Sequence, residues 1–269
     1  MRKEAGCPKC GNKKYWKIRR GARRCSICRH EYRISAFPVR LKRSEWKSII
    51  KWFILEQSIS SISEQTGISR YQVMRALLHI RRLMALQVPE VFSGTVEVDE
   101  TYLGGQWKNK KRSKRSIGAK RGRGTSKQPV FGILCRGGKI WATLVDDVQA
   151  KTLMPLIKKK VAKGSTVCSD TFRSYTGVAS GGYVHRLVNH GEGEFSAGNG
   201  NHINGLEGFW GYLKRKLAAK GGIRRERLNL YLAEYLWRYN NRDKKTEQKV
   251  NAVLRLVYGK NSGSQVAKT

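Results

Sequence analysis

Acidic residues are scarce in this chain. Its 269 residues hold 19 Asp+Glu against 55 Lys+Arg, a formal charge of +36. Long apolar runs are missing too. None approaches the roughly 18 residues of a membrane span, and no apolar stretch follows the basic Met1-Arg2-Lys3, so no signal peptide is visible. The expectation is a soluble, cytoplasmic protein with no membrane partner. A positive excess of this size lies far beyond the ~2–8 charges of a small soluble domain. It needs a polyanionic partner, and nucleic acid is the commonest. What is present argues against disorder. A hydrophobic share of 39%, with 7 Trp, 11 Tyr and 7 Phe, supports a packed core. The length suits one large domain or two to three modules.

Four of the six cysteines form two C-x-x-C pairs, Cys7/Cys10 and Cys25/Cys28, with 14 residues between them. Two such knuckles facing each other can set four thiolates tetrahedrally around Zn²⁺. A reducing compartment disfavours the disulfide alternative. A ribbon this small cannot hold a core, so structural zinc would supply its folding energy. Cys135 and Cys168 stand in apolar runs and read as ordinary buried thiols. Residues 1–43 carry 15 Lys/Arg and two acids, with Tyr15, Trp16 and Tyr32 interleaved, a pattern suited to a phosphate backbone.

From Ser44 the periodicity becomes helical. Ser44 caps a run with Trp46, Ile49, Ile50, Phe53 and Ile54 at three- and four-residue spacing. Ser61-x-x-Glu64 and Ser69-x-x-Gln72 read as capping boxes with Gly67 between them. This is the pattern of a helix-turn-helix whose third helix, about 69–84, presents Arg70, Arg75, Arg81 and Arg82 to DNA. A plain three-helix linker is the alternative. Beyond Val88-Pro89-Glu90 the order is three strands (95–101, 130–135, 139–145), a helix (150–162), a strand (166–169) ending at Asp170, a short helix (172–178), a strand (183–188) and helices at 204–220 and 228–240. The segment 104–128 holds ten Lys/Arg and no acid, and reads as a basic loop.

With so few acids, their positions carry information. Asp99 lies in the first strand of this region, Asp170 ends the fourth, and Glu207 opens the long helix, followed by Lys214. Three carboxylates converging from two strand ends and a helix are ligands for two Mg²⁺ (or Mn²⁺) ions, which catalyse in-line displacement at phosphorus. Spacing alone does not select them. Glu97 shares a face with Asp99, Glu100 adjoins it, and Glu207 also fits an Asn204-x-x-Glu207 capping box. Asp146 and Asp147 read as turn formers.

These stretches carry a resemblance. Cys7-Pro8-Lys9-Cys10 with Cys25-Ser26-Ile27-Cys28, then Val96-Glu97-Val98-Asp99-Glu100-Thr101-Tyr102-Leu103-Gly104-Gly105, Ser169-Asp170, and His202-Ile203-Asn204-Gly205-Leu206-Glu207-Gly208-Phe209-Trp210, with Leu213-Lys214-Arg215 and Tyr235-Leu236-Trp237-Arg238-Tyr239-Asn240, resemble the zinc-ribbon group of DDE-type transposases from bacterial insertion sequences. The resemblance implies an α/β fold: a ribonuclease-H-like catalytic domain at 91–269, preceded by a zinc ribbon at 1–40 and a helix-turn-helix DNA-binding domain at 41–90. It implies Asp99 and Asp170 as catalytic ligands of Mg²⁺. For the third position it offers Glu207, with Asn204 as a competitor. It places His202 beside the reacting phosphate and Lys214 on it. Implied partners are double-stranded DNA (transposon ends and target) and a second copy of the chain, at the bacterial nucleoid. Candidate DNA contacts are Arg70, Arg75, Lys110, Lys111, Arg112 and Arg215. Two rival activities share these features: a DNA-binding regulator with an inactive transposase-like domain, and a nuclease without strand transfer.

Overall fold

The computed structural model describes residues 7, 9–19, 22–32, 39–87, 91–104, 127–170, 173–188 and 203–259. They divide into two compact units: the described residues up to Leu86 together with those from Asp243 on, and those from Gln87 to Arg242.

The first unit opens with a three-stranded antiparallel sheet, β1 (Tyr15–Ile18), β2 (Ala22–Cys25) and β3 (Glu31–Tyr32). Helices α1 (Arg43–Ile54), α2 (Ile59–Thr66) and α3 (Arg70–Ala85) follow. The α1 cap differs from expectation. Lys42 is the N-cap, and its N–H donates to the Glu45 carboxylate, which leaves Ser44 inside the first turn. The α2 cap is Ser58, whose hydroxyl accepts from the Ser61 N–H, so the box expected at Ser61 lies one turn too late. Ser69 does cap α3, accepting from the Gln72 N–H. Gly67 takes φ +67 between α2 and α3, a left-handed turn that a residue with a Cβ adopts at a cost. The described residues close with a helix absent from the sequence reading. Helix α7 (Thr246–Tyr258) buries Val250, Val253, Leu254 and Val257. It packs on α1 and α3, so these residues, expected within 91–269, belong to the helical unit.

The second unit is a five-stranded sheet of order β6-β5-β4-β7-β8. The strands are β4 (Thr95–Leu103), β5 (Gln128–Cys135), β6 (Ile140–Leu144), β7 (Thr166–Asp170) and β8 (Val184–Val188). β4, β5 and β6 form an antiparallel meander, and β7 and β8 add in parallel. Helix α4 (Ala150–Lys160) makes the crossover into β7. Its start is organised by Asp147, whose Oδ1 accepts from the Gln149 N–H and the Thr152 hydroxyl. Helices α5 (Asn204–Ala218) and α6 (Leu228–Asn240) complete the unit. The expected short helix at 172–178 is reduced to a 3-10 turn at Arg173–Tyr175, with another at Ala179–Gly181.

Alternation along β4 explains the layering. Val96 and Val98 join the core that contains Leu153 and Ile157 of α4. Leu103 joins the other core, with Leu206, Phe209, Trp210 and Leu213 of α5 and Leu228, Leu232 and Tyr235 of α6. The result is a helix–sheet–helix sandwich, and its strand order with three antiparallel and two parallel members is ribonuclease-H-like. Asn240 fastens α6 to the edge strand: its side-chain amide donates to the Ile140 carbonyl at 2.8 Å and accepts the Ile140 N–H at 2.7 Å.

Candidate functional site

The four knuckle cysteines form a group whose sulfurs all lie within 4.8 Å of one another, and among the described residues no other set of three or more His, Cys, Asp or Glu is drawn so close. The Cys7–Cys28 and Cys10–Cys25 sulfur pairs are each 3.5 Å apart. A tetrahedral ion with Zn–S near 2.3 Å needs sulfur edges of roughly 3.8 Å, so the donor set fits zinc. The two knuckles repeat one turn. The Cys7 N–H donates to the Asn12 carbonyl and the Gly11 N–H to that of Cys7; the Cys25 N–H donates to His30 and the Arg29 N–H to Cys25. Gly11 and Arg29 accordingly both take positive φ, +74 and +58. Burial raises the Cys25 thiol, but hydrogen bonds from the Cys28 and Ile27 amides and the Asn12 side chain outweigh it and bring it down to about 6. The His30 amide lowers Cys28, but burial and the other three thiols win and push it up to about 12. One thiolate in a crowd of thiols is the state a cation would relieve. Cys168 is buried as expected, whereas Cys135 is only half-buried at the end of β5.

In the second unit, the three acids of β4 meet different fates. Glu97 is 1% exposed. Its Oε1 accepts from Arg136 Nε at 3.2 Å and its Oε2 from the Leu206 N–H at 2.9 Å. It therefore caps α5, which has Ile203 as N-cap and no side-chain cap of its own. A carboxylate at a helix N-terminus is favoured by the unpaired N–H groups there. The box expected between Asn204 and Glu207 is thus replaced by an acid from the sheet. Gly205 makes the approach possible, since a Cβ there would lie 2.5 Å from Leu134 Cδ2 and 3.0 Å from Glu97 Oε2. Glu100 belongs to the opposite face of β4, where Tyr175 donates to its Oε2 at 2.7 Å.

Asp99 has neither arrangement. It shares the α5 face with Glu97, and Trp210 Nε1 donates to its Oδ2 at 3.0 Å. The residue directly across in β5 is Gly132. A Cβ at Gly132 would sit 2.6 Å from Trp210 Cζ2, so glycine leaves the slot in which the indole lies. The parallel β4–β7 ladder pairs Glu97 with Cys168. Two residues further along each strand, beyond the last pair of that ladder, come Asp99 and Asp170, which alternation assigns to the face of Glu97 and Cys168. Burial raises the Asp99 carboxyl to about 7, and the charges of Glu100 and Asp170 push the same way against hydrogen bonds from the Glu100 amide and Trp210. Glu207 and Lys214 lie three residues before and four after Trp210, hence along its side of α5. Both are exposed, as are Asn204 and Arg215. Burial lowers the Lys214 ammonium, as does the charge of Lys127, while Asp99 raises it. His202, Lys110, Lys111 and Arg112 lie outside the described residues. On α3, Arg70 and Arg75 are exposed as expected. Arg81 corrects the expectation: it is buried, with its guanidinium 5.6 Å from the Phe53 ring centre.

Sequence reasoning missed Glu97 as a helix cap, Arg136 as its partner, and Trp210 as the indole over Asp99. The only local hint was the shared face of Glu97 and Asp99.

Comparison with known proteins bears on the family. The model of the ISXO2-like transposase domain matches residues 91–240. A transposase-like protein of Haemophilus influenzae is 39% identical over 121 residues, covering 45% of this chain and 95% of the relative. A protein in transposable element ISH50 of Halobacterium salinarum is 28% identical over 200 residues, covering 69% of this chain and 67% of its own. Among solved structures, the simian T-cell lymphotropic virus intasome in complex with PP2A regulatory subunit B56 gamma aligns at TM-score 0.35 and 12% identity, over 76% of this chain and 74% of that one. The Mos1 strand transfer complex aligns at 0.31 and 14%, over 82% and 76%. Superpositions this loose add nothing to the fold assignment, which rests on the strand order. The family match spans more than half of the chain, and this protein belongs to the ISXO2-like transposases.

Proposed function

We propose that this transposase cuts DNA at the ends of its element and joins the freed 3′-hydroxyl to target DNA, with Asp99, Asp170 and Glu207 holding two divalent cations, Mg²⁺ or Mn²⁺. The observation that carries this reading is Asp99 itself. It is a carboxylate withdrawn from water, on the strand parallel to that of Asp170 and burdened by that acid's charge. Hard oxygen donors that repel one another are a donor set suited to Mg²⁺. Cations held by these carboxylates would supply Lewis acidity for activation of water or a 3′-hydroxyl and for stabilisation of the leaving oxygen. The chain's own residues do the positioning. Trp210 holds one oxygen of Asp99 and so orients the carboxylate. Glu207 reaches the same side from the first turn of α5, one turn before Trp210, which favours it over Asn204. Lys214, with Lys127 nearby, binds a non-bridging oxygen of the substrate phosphate. Since the attacking groups are water and a DNA hydroxyl, no covalent protein–DNA link is required.

The first unit binds the ends. Zn²⁺ in the cysteine group would hold the ribbon together, whose core among the described residues is Cys7, Cys25 and Tyr32 with Cys28 against them. Arg70 and Arg75 lead the DNA contacts, and Lys110, Lys111, Arg112 and Arg215 extend them. Joining two ends implies at least a dimer on DNA.

The test incubates the full chain with Mg²⁺ or Mn²⁺, end DNA and a target plasmid, beside Asp99→Ala and Asp170→Ala. Joined products from the native protein alone are expected. Cleavage without joining would replace the reading with a nuclease, and binding with intact DNA would replace it with a regulator. Elemental analysis should find one zinc per chain, lost in Cys28→Ala; native protein without zinc would remove the ribbon assignment.

A further inference from the structure

Helix α3 offers DNA more than charge. Its inward side is Val73, Ala76, Leu77, Ile80, Leu83 and Met84, all buried. On the other side Tyr71, Met74 and Arg75 sit at i, i+3 and i+4, a single stripe. Tyr71 is 64% and Met74 38% exposed. The Arg75 guanidinium lies 6.0 Å from the Tyr71 ring centre, and Arg70 is exposed one residue earlier. α3 contains four arginines and no acid. Two large apolar side chains are therefore held in water at the start of the helix that follows the Gly67 turn, and the described unit gives them no packing role.

Their surroundings select the occupant. A second copy of this face would set arginine against arginine, whereas DNA matches the charge. In the major groove every base pair offers hydrogen-bonding groups, but only thymine offers a methyl group, and apolar side chains are what contact it. Residues in the first turns of a recognition helix are the ones that reach base edges. We propose that Tyr71 and Met74 are specificity residues that read thymine 5-methyl groups in the major groove of the transposon ends, with Arg70 and Arg75 holding the flanking guanines or phosphates. This rests on α2 and α3 acting as the end-binding helix-turn-helix.

The test measures binding of the full, zinc-loaded chain by fluorescence anisotropy. The probes are duplexes of the element's own ends in which thymines are replaced one at a time by uracil, which lacks only the methyl. Native protein should lose roughly fourfold in affinity at one or two positions, the worth of one buried methyl. Met74→Ala and Tyr71→Ala should bind thymine and uracil ends alike there. Arg70→Ala and Arg75→Ala should weaken both duplexes equally and keep the thymine preference. Because all four side chains are exposed, circular dichroism should be unchanged in every variant. Native protein indifferent to uracil at every position, or Tyr71 and Met74 variants that keep the preference, would overturn the proposal while leaving the helix-turn-helix reading intact. Arginine variants that bind both duplexes as the native protein does would overturn that reading itself. Loss of self-association in Met74→Ala, with unchanged DNA discrimination, would make the stripe an interface between copies instead.

Discussion

Asp99 should make the metal-free protein less stable as pH rises, and replacing it should stabilise the fold while abolishing activity. In the folded chain its carboxyl titrates near 7 instead of its ordinary 3.8, chiefly because it is buried. The folded state therefore binds this proton more tightly than the unfolded state does. Below about pH 4 both states are protonated and nothing is lost. Between pH 4 and 7 the unfolded chain releases the proton first, and stability falls. A rise from 3.8 to about 7 corresponds, at about 1.4 kcal/mol per pH unit, to a ceiling of about 4 kcal/mol. Asp99→Asn cannot ionise. Its stability relative to the native protein should widen by up to that amount between pH 4 and 8. The assay is urea unfolding followed by fluorescence of the 7 Trp, both proteins zinc-loaded and free of other metals. At pH 8, Mg²⁺ should then stabilise the native chain by mass action and leave Asp99→Asn untouched. A difference that stays flat with pH, or narrows, would mean that Asp99 is solvated and ionised as usual, and the reasoning from burial would fail.

Two further perturbations probe the frame around this carboxylate. Gly132→Ala places a methyl 2.6 Å from the Trp210 ring, so unfolding should be easier by about 1–3 kcal/mol and end cleavage should fall with it; native stability would show that the indole can leave its slot freely. Glu97→Ala removes the carboxylate that Arg136 and the Leu206 N–H both meet, for a loss of about 3–5 kcal/mol by chemical denaturation, whereas Glu97→Gln keeps an oxygen at that N–H and should lose clearly less; equal losses would show that charge, not capping, is what Glu97 supplies.

Local pattern carried much of the second unit. Alternation marks β4, a short apolar run marks β5, the apolar spacing of Leu153 and Ile157 marks α4, and α6 begins and ends where its periodicity does. The Ser69 cap and the cysteine knuckles were equally legible, because each is a short-range arrangement of residue types. Local signals also misled where two candidates competed. Ser44 and Ser61 stand near helix starts, but Lys42 and Ser58 are the caps, and the tertiary path of the chain decides which residue takes that place. Helix α7 has Val250, Val253, Leu254 and Val257 at helical spacing, so its existence was readable. Its attachment was not, since it packs on α1 from the far end of the chain. The site shows the same limit more sharply. Glu97 finds Arg136 across 39 residues and the Leu206 N–H across 109, and Trp210 finds Asp99 across 111. No window of sequence contains such a pair, and the face shared by Glu97 and Asp99 states only that both meet α5.

What separates those two acids is the part of α5 that each meets. Glu97 lies under the helix N-terminus, where free N–H groups and Arg136 neutralise it, and it becomes part of the frame. Asp99 lies one alternate position along, beside Trp210, where the indole N–H and the Glu100 amide answer it and the charges of Glu100 and Asp170 oppose them. The frame also sets the geometry of the crowd. Binding the Leu206 N–H to β4 fixes Glu207, the next residue, relative to Asp99 two residues along the same strand. The β4–β7 register fixes Asp170 in the same way. On the proposed reading, backbone constraints rather than any attraction of their own would set where these acids stand. Cations would then be received there although the charges of Glu100 and Asp170 push the Asp99 carboxyl up.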